Sequence, residues 1–124
     1  IERASEISLL KSAKDKGILY TLHQDAPVIE PNMLETIWCA VNRITKNGCL
    51  LGEDERIDPL NAVKAVTKNA AYQYFEEDIK GTLKEGKLAD LVILDKNILK
   101  VEPMEIRNIK VLETMKEGKT IFKK

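Results

Sequence analysis

Two residues two positions apart, His23 and Asp25, carry the most suggestive chemistry in this 124-residue sequence. In an extended chain the side chains at i and i+2 point the same way, so this imidazole and this carboxylate can face one ligand. A neutral imidazole can ligate a metal, hydrogen-bond a substrate or orient a neighbouring carboxylate. A carboxylate can ligate a divalent ion, or accept a proton from water that such an ion activates. Each residue also has an ordinary structural use. Asp25 can cap the turn before Pro27 through its own side chain, and His23 can be a satisfied strand-end residue. His23 is the only histidine, and Cys39 and Cys49 are the only cysteines. The spacing of these three matches no common zinc pattern, and the two thiols read as reduced and buried. No phosphate-binding glycine loop, GxSxG elbow or HExxH motif is present.

The elements around this pair read as follows. Residues 18–22 are apolar on both faces and rich in strand formers, which suits a parallel strand covered on both sides. His23 and Asp25 then lie at the C-terminal end of such a strand, where α/β proteins and barrels assemble active sites. Upstream, residues 3–16 suit a helix with Ile7, Leu10 and Ala13 on one face and Gly17 as a left-handed stop. Downstream, Asn32 with Glu35 three residues on forms a capping-box pattern, and Gly48 marks the end of the helix. Leu34, Ile37, Trp38, Val41 and Ile44 give that helix a broad apolar face. Asp58 followed by Pro59 starts another helix, expected to run to about Tyr74.

From Gly81 the period changes to that of strands. Residues 81–83 and 91–94 read as strands, Pro103 to Arg107 as a helical turn, and residues 109–115 and 120–122 as a hairpin around Glu117-Gly118. Trp38, Tyr72, Tyr74 and Phe75 read as core or domain-interface packing. The acidic runs Glu53-Asp54-Glu55 and Glu76-Glu77-Asp78 read as solvated charge.

Charge narrows the function classes. The chain has 20 basic and 20 acidic residues, so its formal net charge is zero. That balance argues against a nucleic-acid clamp or a polybasic membrane binder. No apolar run approaches the roughly 18 residues of a membrane span, and no signal peptide is visible. A cytoplasmic location is the expectation. The balance is uneven along the chain, with a net of −4 over residues 1–79 and +4 over residues 80–124. The chain also begins with Ile1, which suggests a piece of something longer.

One stretch is distinctive beyond its composition. His23-Gln24-Asp25-Ala26-Pro27-Val28 resembles the end of the eighth barrel strand in the amidohydrolase superfamily, specifically its family three. The similarity continues at Glu30-Pro31-Asn32-Met33-Leu34, Asp58-Pro59-Leu60-Asn61-Ala62 and Thr67-Lys68-Asn69-Ala70-Ala71. It is strongest at Gly81-Thr82-Leu83-Lys84-Glu85-Gly86-Lys87-Leu88-Ala89-Asp90-Leu91-Val92-Ile93-Leu94-Asp95. The final hairpin, Val111 through Phe122, is similar as well.

The resemblance implies an α/β fold: the C-terminal end of a (β/α)8 metal-dependent hydrolase barrel over residues 1–79, with strands of a composite β-sandwich over 80–124. It implies a parent enzyme that hydrolyses a non-peptide C–N (amide) bond of a small molecule through metal-activated water, with zinc as the expected ion. Asp25 resembles the family's eighth-strand aspartate, which contacts the metal and moves the proton. Relatives commonly have Ser or Thr where this chain has His23 and Gln24, so a substrate-binding or supporting role for His23 rests on position alone. The remaining ligands would come from a missing N-terminal part, which leaves the isolated chain inactive and its orphaned strand prone to self-association. Two alternatives stay open. One is a non-catalytic binding or regulatory module derived from the same fold. The other is a free-standing α/β domain with every strand paired within the chain.

Overall fold

The computed structural model describes residues 2–124. Its elements, in chain order, are α1 (Glu2–Ser5), α2 (Leu10–Asp15), α3 (Met33–Asn42), a 3-10 turn (Glu53–Glu55), α4 (Pro59–Val66), α5 (Lys68–Gln73), β1 (Leu91–Leu94), a second 3-10 turn (Pro103–Asn108), β2 (Val111–Lys116) and β3 (Lys119–Lys123). This is a small α/β assembly of short helices and one antiparallel sheet.

The core lies where α3, α4 and the second 3-10 turn meet. Helix α3 begins where expected because the Asn32 side chain accepts hydrogen bonds from the Leu34 and Glu35 N–H groups. Its apolar stripe then turns inward, and Ile37, Trp38, Ala40 and Val41 pack with Ile57, Ala62 and Ile106. Ile106 is completely buried, which corresponds to about 2–3 kcal/mol of hydrophobic stabilisation for a side chain of this size. Polar bonds fix the same contact. Trp38 Nε1 donates to the Met104 carbonyl at 3.0 Å, and Asn42 Nδ2 donates to the Trp38 and Pro103 carbonyls, both at 3.0 Å. The Arg107 guanidinium lies 4.0 Å from the centre of the Trp38 ring and forms a two-pronged ion pair with Glu35. Glu35 therefore does not complete the expected capping box, because Arg107 holds its carboxylate.

Several helix boundaries differ from expectation. The helix expected over 3–16 is broken between α1 and α2, and Ser8 sits at φ 54°. Arg43 accounts for the break: its guanidinium donates to the Ser5, Ile7 and Ser8 carbonyls, groups that a continuous helix would hold internally, and also to the Leu51 carbonyl. Arg43 is also the left-handed residue that ends α3, at φ 52°, well before Gly48. The helix expected over residues 58–74 starts correctly, since Asp58 accepts from Asn61 N–H at 3.0 Å. It divides at Thr67, whose hydroxyl donates to the Val63 carbonyl. Gly17 takes its left-handed stop, at φ 69°.

The strands sort into realised and unrealised. The sheet has the order β1-β2-β3, all antiparallel. Glu117 and Gly118 form the hairpin turn with φ of 49° and 76°, both positive, as a two-residue turn between twisted strands requires. Residues 81–83 form no strand. A Cβ on Gly81 would stand 2.5 Å from the Ala71 Cβ, and the residue adopts φ 88° to pass there. Residues 18–22 form no strand and make no ladder pairing with any described segment. Tyr72, Tyr74 and Phe75, read as packing residues, are exposed, with Phe75 at 90%. Cys39 and Cys49 are free, as expected, but exposed rather than buried. No helix among the described residues is long and apolar enough to cross a membrane.

Candidate functional site

The extended segment after Gly17 delivers His23 and Asp25 to one corner of the molecule. Its start is tied by the Ile18 N–H donating to the Ala13 carbonyl at 2.9 Å. Its middle is tied by Asn69 Nδ2 donating to the Tyr20 carbonyl at 2.9 Å, and by a 2.9 Å hydrogen bond between the Thr21 hydroxyl and Gln73 Oε1. Beyond Gln24 the chain turns sharply. Asp25 sits in the left-handed region at φ 57°, the Ala26–Pro27 bond is cis, and the Val28 N–H donates to the Asp25 carbonyl at 2.8 Å. Asp25 thus serves the turn through its backbone, and its carboxylate is free to face outward.

The structure brings the two predicted residues together. His23 Nε2 lies 3.4 Å from Asp25 Oδ1, with side chains 80% and 77% exposed. That separation equals about the edge of a tetrahedron whose arms are the roughly 2.0–2.1 Å of zinc–nitrogen and zinc–oxygen bonds. An imidazole and a carboxylate at this spacing can serve one ligand. No group of three or more His, Cys, Asp or Glu side chains suited to a metal occurs among the described residues.

Sequence reasoning passed over Gln24. Its side chain is 9% exposed, the reverse of its two neighbours. Nε2 donates to the Asn32 carbonyl at 2.9 Å and Oε1 accepts from the Asn32 N–H at 2.5 Å. The alternation that turns His23 and Asp25 outward turns Gln24 inward, and that was the available signal. A shallow cleft of about 420 Å³ adjoins this corner, lined in part by Leu22, His23, Glu35, Cys39 and Arg43. The Cys39 thiol is pushed up by desolvation and by the nearby Glu35, against a smaller opposing pull from Arg107.

The acidic runs also resolve. Glu55 is not merely solvated: it accepts from the Ser12 hydroxyl and N–H, which holds its carboxyl below the usual range. Glu76 pairs with Lys80 at 2.6 Å.

Comparison with known proteins concerns the chain as a whole. Residues 1–122 match the amidohydrolase family. The chain is 30% identical over 109 residues to an N-substituted formamide deformylase of Arthrobacter pascens, covering 88% of this chain and 20% of that protein. It is 36% identical over 123 residues to the protein LONG AFTER FAR-RED 3 of Arabidopsis thaliana, covering 98% of this chain and 21% of that protein. The chain thus spans about a fifth of the length of these curated relatives. Among solved structures, an amidohydrolase from Thermotoga maritima MSB8 superposes with a TM-score of 0.70 at 20% identity, covering 93% of this chain and 26% of that one. At that identity the superposition speaks for the fold alone.

Proposed function

Since the chain belongs to the amidohydrolase family, we propose that it forms the Asp25-bearing C-terminal portion of a metal-dependent enzyme that hydrolyses a non-peptide C–N bond of a small amide-type molecule. The observation that carries this reading is the His23–Asp25 pair, exposed and 3.4 Å apart at the end of an unpaired extended segment. In the assembled protein residues 18–22 would be the last barrel strand, and the sheet of β1, β2 and β3 would belong to a β-sandwich. The missing barrel strands and the other metal ligands would come from a preceding part of the same polypeptide. The two free thiols suit a reducing, cytoplasmic setting.

A divalent cation, zinc in this reading, would be held in part by Asp25 and would supply Lewis acidity and a water-derived nucleophile near neutral pH. The rest of the step is work for the chain's own groups. Asp25 Oδ1 faces His23, which leaves Oδ2 to take the proton from the attacking water as its oxygen bonds to the amide carbon. The same carboxyl then gives that proton to the departing nitrogen as the C–N bond breaks, so water is consumed and an acid and an amine are released. His23 steadies the carboxylate or contacts the substrate. The loop of residues 26–33 would lie over the barrel mouth, where substrate enters.

Turnover of a panel of N-substituted formamides, followed with and without a chelator, tests this reading. The 124-residue chain alone should be inactive, and a polypeptide that restores the preceding part should show chelator-sensitive turnover. Asp25→Asn in that longer protein should lower kcat by about a thousandfold or more, given what positioned proton transfer and metal ligation contribute together. Turnover that survives Asp25→Asn would remove Asp25 from the reading, and a longer protein with no metal-dependent hydrolysis would shift it to a non-catalytic binding or regulatory module.

A further inference from the structure

Gln24 occupies a position no motif singles out, yet it is the buried polar side chain next to the site. Its amide uses both halves on a single partner, donating to the Asn32 carbonyl and accepting from the Asn32 N–H. Residues 25–31 are thereby closed into a ring whose base is this pair of hydrogen bonds. Asn32 is itself anchored. Its side chain caps α3 through Leu34 and Glu35, and its carbonyl accepts from the Thr36 N–H at 3.1 Å. Helix α3 in turn is fixed by the buried Ile37, Trp38, Ala40 and Val41. A continuous path of bonds therefore runs from the core through Asn32 and Gln24 to the backbone between His23 and Asp25.

What else holds Asp25 is slight. Its carbonyl closes a turn with Val28, and its carboxylate makes a long contact with His23. Its backbone sits at φ 57°, in the left-handed region that a non-glycine residue keeps more readily where its surroundings impose it. The surrounding element able to impose it is the Gln24 clasp.

We infer that Gln24 is a positioning residue: its two-pronged bond to the Asn32 backbone holds His23 and Asp25 outward and together, with the Asp25 carboxylate offered to a divalent cation and the His23 ring beside it. The cation half of this statement rests on the functional reading above, whereas the geometric half stands without it. The amide is specifically required. A glutamate of the same shape can accept from the Asn32 N–H but cannot donate to the Asn32 carbonyl, and its charge would face that carbonyl. An alanine loses both bonds.

Because His23 is the sole histidine, its ring resonances report the site without ambiguity in NMR spectra of the whole chain. Two arms are read on wild type, Gln24→Glu, Gln24→Ala and Asp25→Asn. Without metal, the wild type should show contacts between the His23 ring and the Asp25 methylene, together with the Asp25 backbone coupling expected at positive φ. Both Gln24 variants should lose these while the α3 resonances stay in place. With zinc ions as the probe, the wild type should show a saturable shift of the His23 ring, weakened at least tenfold in Asp25→Asn and in both Gln24 variants. Gln24 variants that keep the metal-free contacts, or bind zinc within twofold of wild type, would overturn the inference. Zinc binding unaffected by Asp25→Asn, or absent from the wild type, would count against the metal reading while the metal-free arm still decides the role of Gln24. If Gln24→Ala unfolds, the isosteric Gln24→Glu carries the test.

Discussion

The layer built from α3, α4 and the Pro103–Asn108 turn contrasts sharply with the surfaces on either side of it. In that layer the apolar side chains are spent on one another: Ile37, Trp38, Ala40, Val41, Ile57, Ala62 and Ile106 are all buried. Elsewhere they are not. Ile18 and Leu19 of the extended segment are exposed, as are Val92, Ile93, Ile121 and Phe122 of the sheet. An open groove of about 790 Å³ between α4, α5 and β1 is lined by Val63, Ala70, Tyr74, Leu83 and Leu91 among others. The difference teaches that one part of this sequence completes its own core and another is patterned for neighbours. The candidate site hangs at the boundary, on a segment fixed at its base by the closed layer and bare along its edges.

That contrast can be broken most forcefully in the closed layer. Ile106→Ala should cost about 2–4 kcal/mol of unfolding free energy, while Ile121→Ala on the exposed face should stay within about 0.5 kcal/mol; urea denaturation of both would show the gap. Gly81→Ala should cost about 1–3 kcal/mol, since its methyl would collide with Ala71 in a backbone conformation alanine resists. Arg107→Ala should cost about 1 kcal/mol by the same measurement. Most of that is the lost stacking on Trp38, because the ion pair with Glu35 is partly solvent-screened.

The smallest effect is in the acid limb of stability. Burial pushes the Asp58 carboxyl up, but hydrogen bonds from Asn61 and Lys14 outweigh it and leave the group below its ordinary value. A carboxyl lowered in the folded state contributes stability that is complete above its unfolded value of about 3.9. That contribution disappears as the pH falls through the lower folded value. Asp58→Asn keeps a capping oxygen without the charge, so its melting temperature should fall less than the wild type's between pH 5 and pH 3.

The sequence made local signals plain and long-range ones invisible. The Asn32 and Asp58 caps, the Gly17 stop, the Glu117-Gly118 turn and the Pro103 turn all depend on residues within a few positions of one another, and all are present. The breaks at residues 6–9 and the early end of α3 depend on Arg43 gathering carbonyls up to 38 positions away, which no local pattern announces. The pairing of His23 with Asp25 was expected from the period of an extended chain, whereas Asp25 itself reaches it from a left-handed backbone at φ 57°. The Gln24 clasp followed from the same period, but its partner eight residues on does not declare itself without the fold. Residues 18–22 carried the pattern of a buried strand, yet they form no strand here and Ile18 and Leu19 are exposed. What the pattern could not supply was the neighbour, and the described chain does not supply it either.

The account stands or falls on that last point, and amide hydrogen exchange on the isolated chain examines it most directly. Among the described residues, no backbone N–H from Leu19 to Asp25 has a hydrogen-bond partner, whereas those of α3 are held in a buried helix. The predicted result is exchange of residues 19–25 at nearly the rate of an unstructured chain, beside strong protection of Ile37 to Asn42. Protection of residues 19–25 comparable to α3 would mean that the segment already has its partners, and would contradict the view that the site-bearing strand awaits the rest of an enzyme.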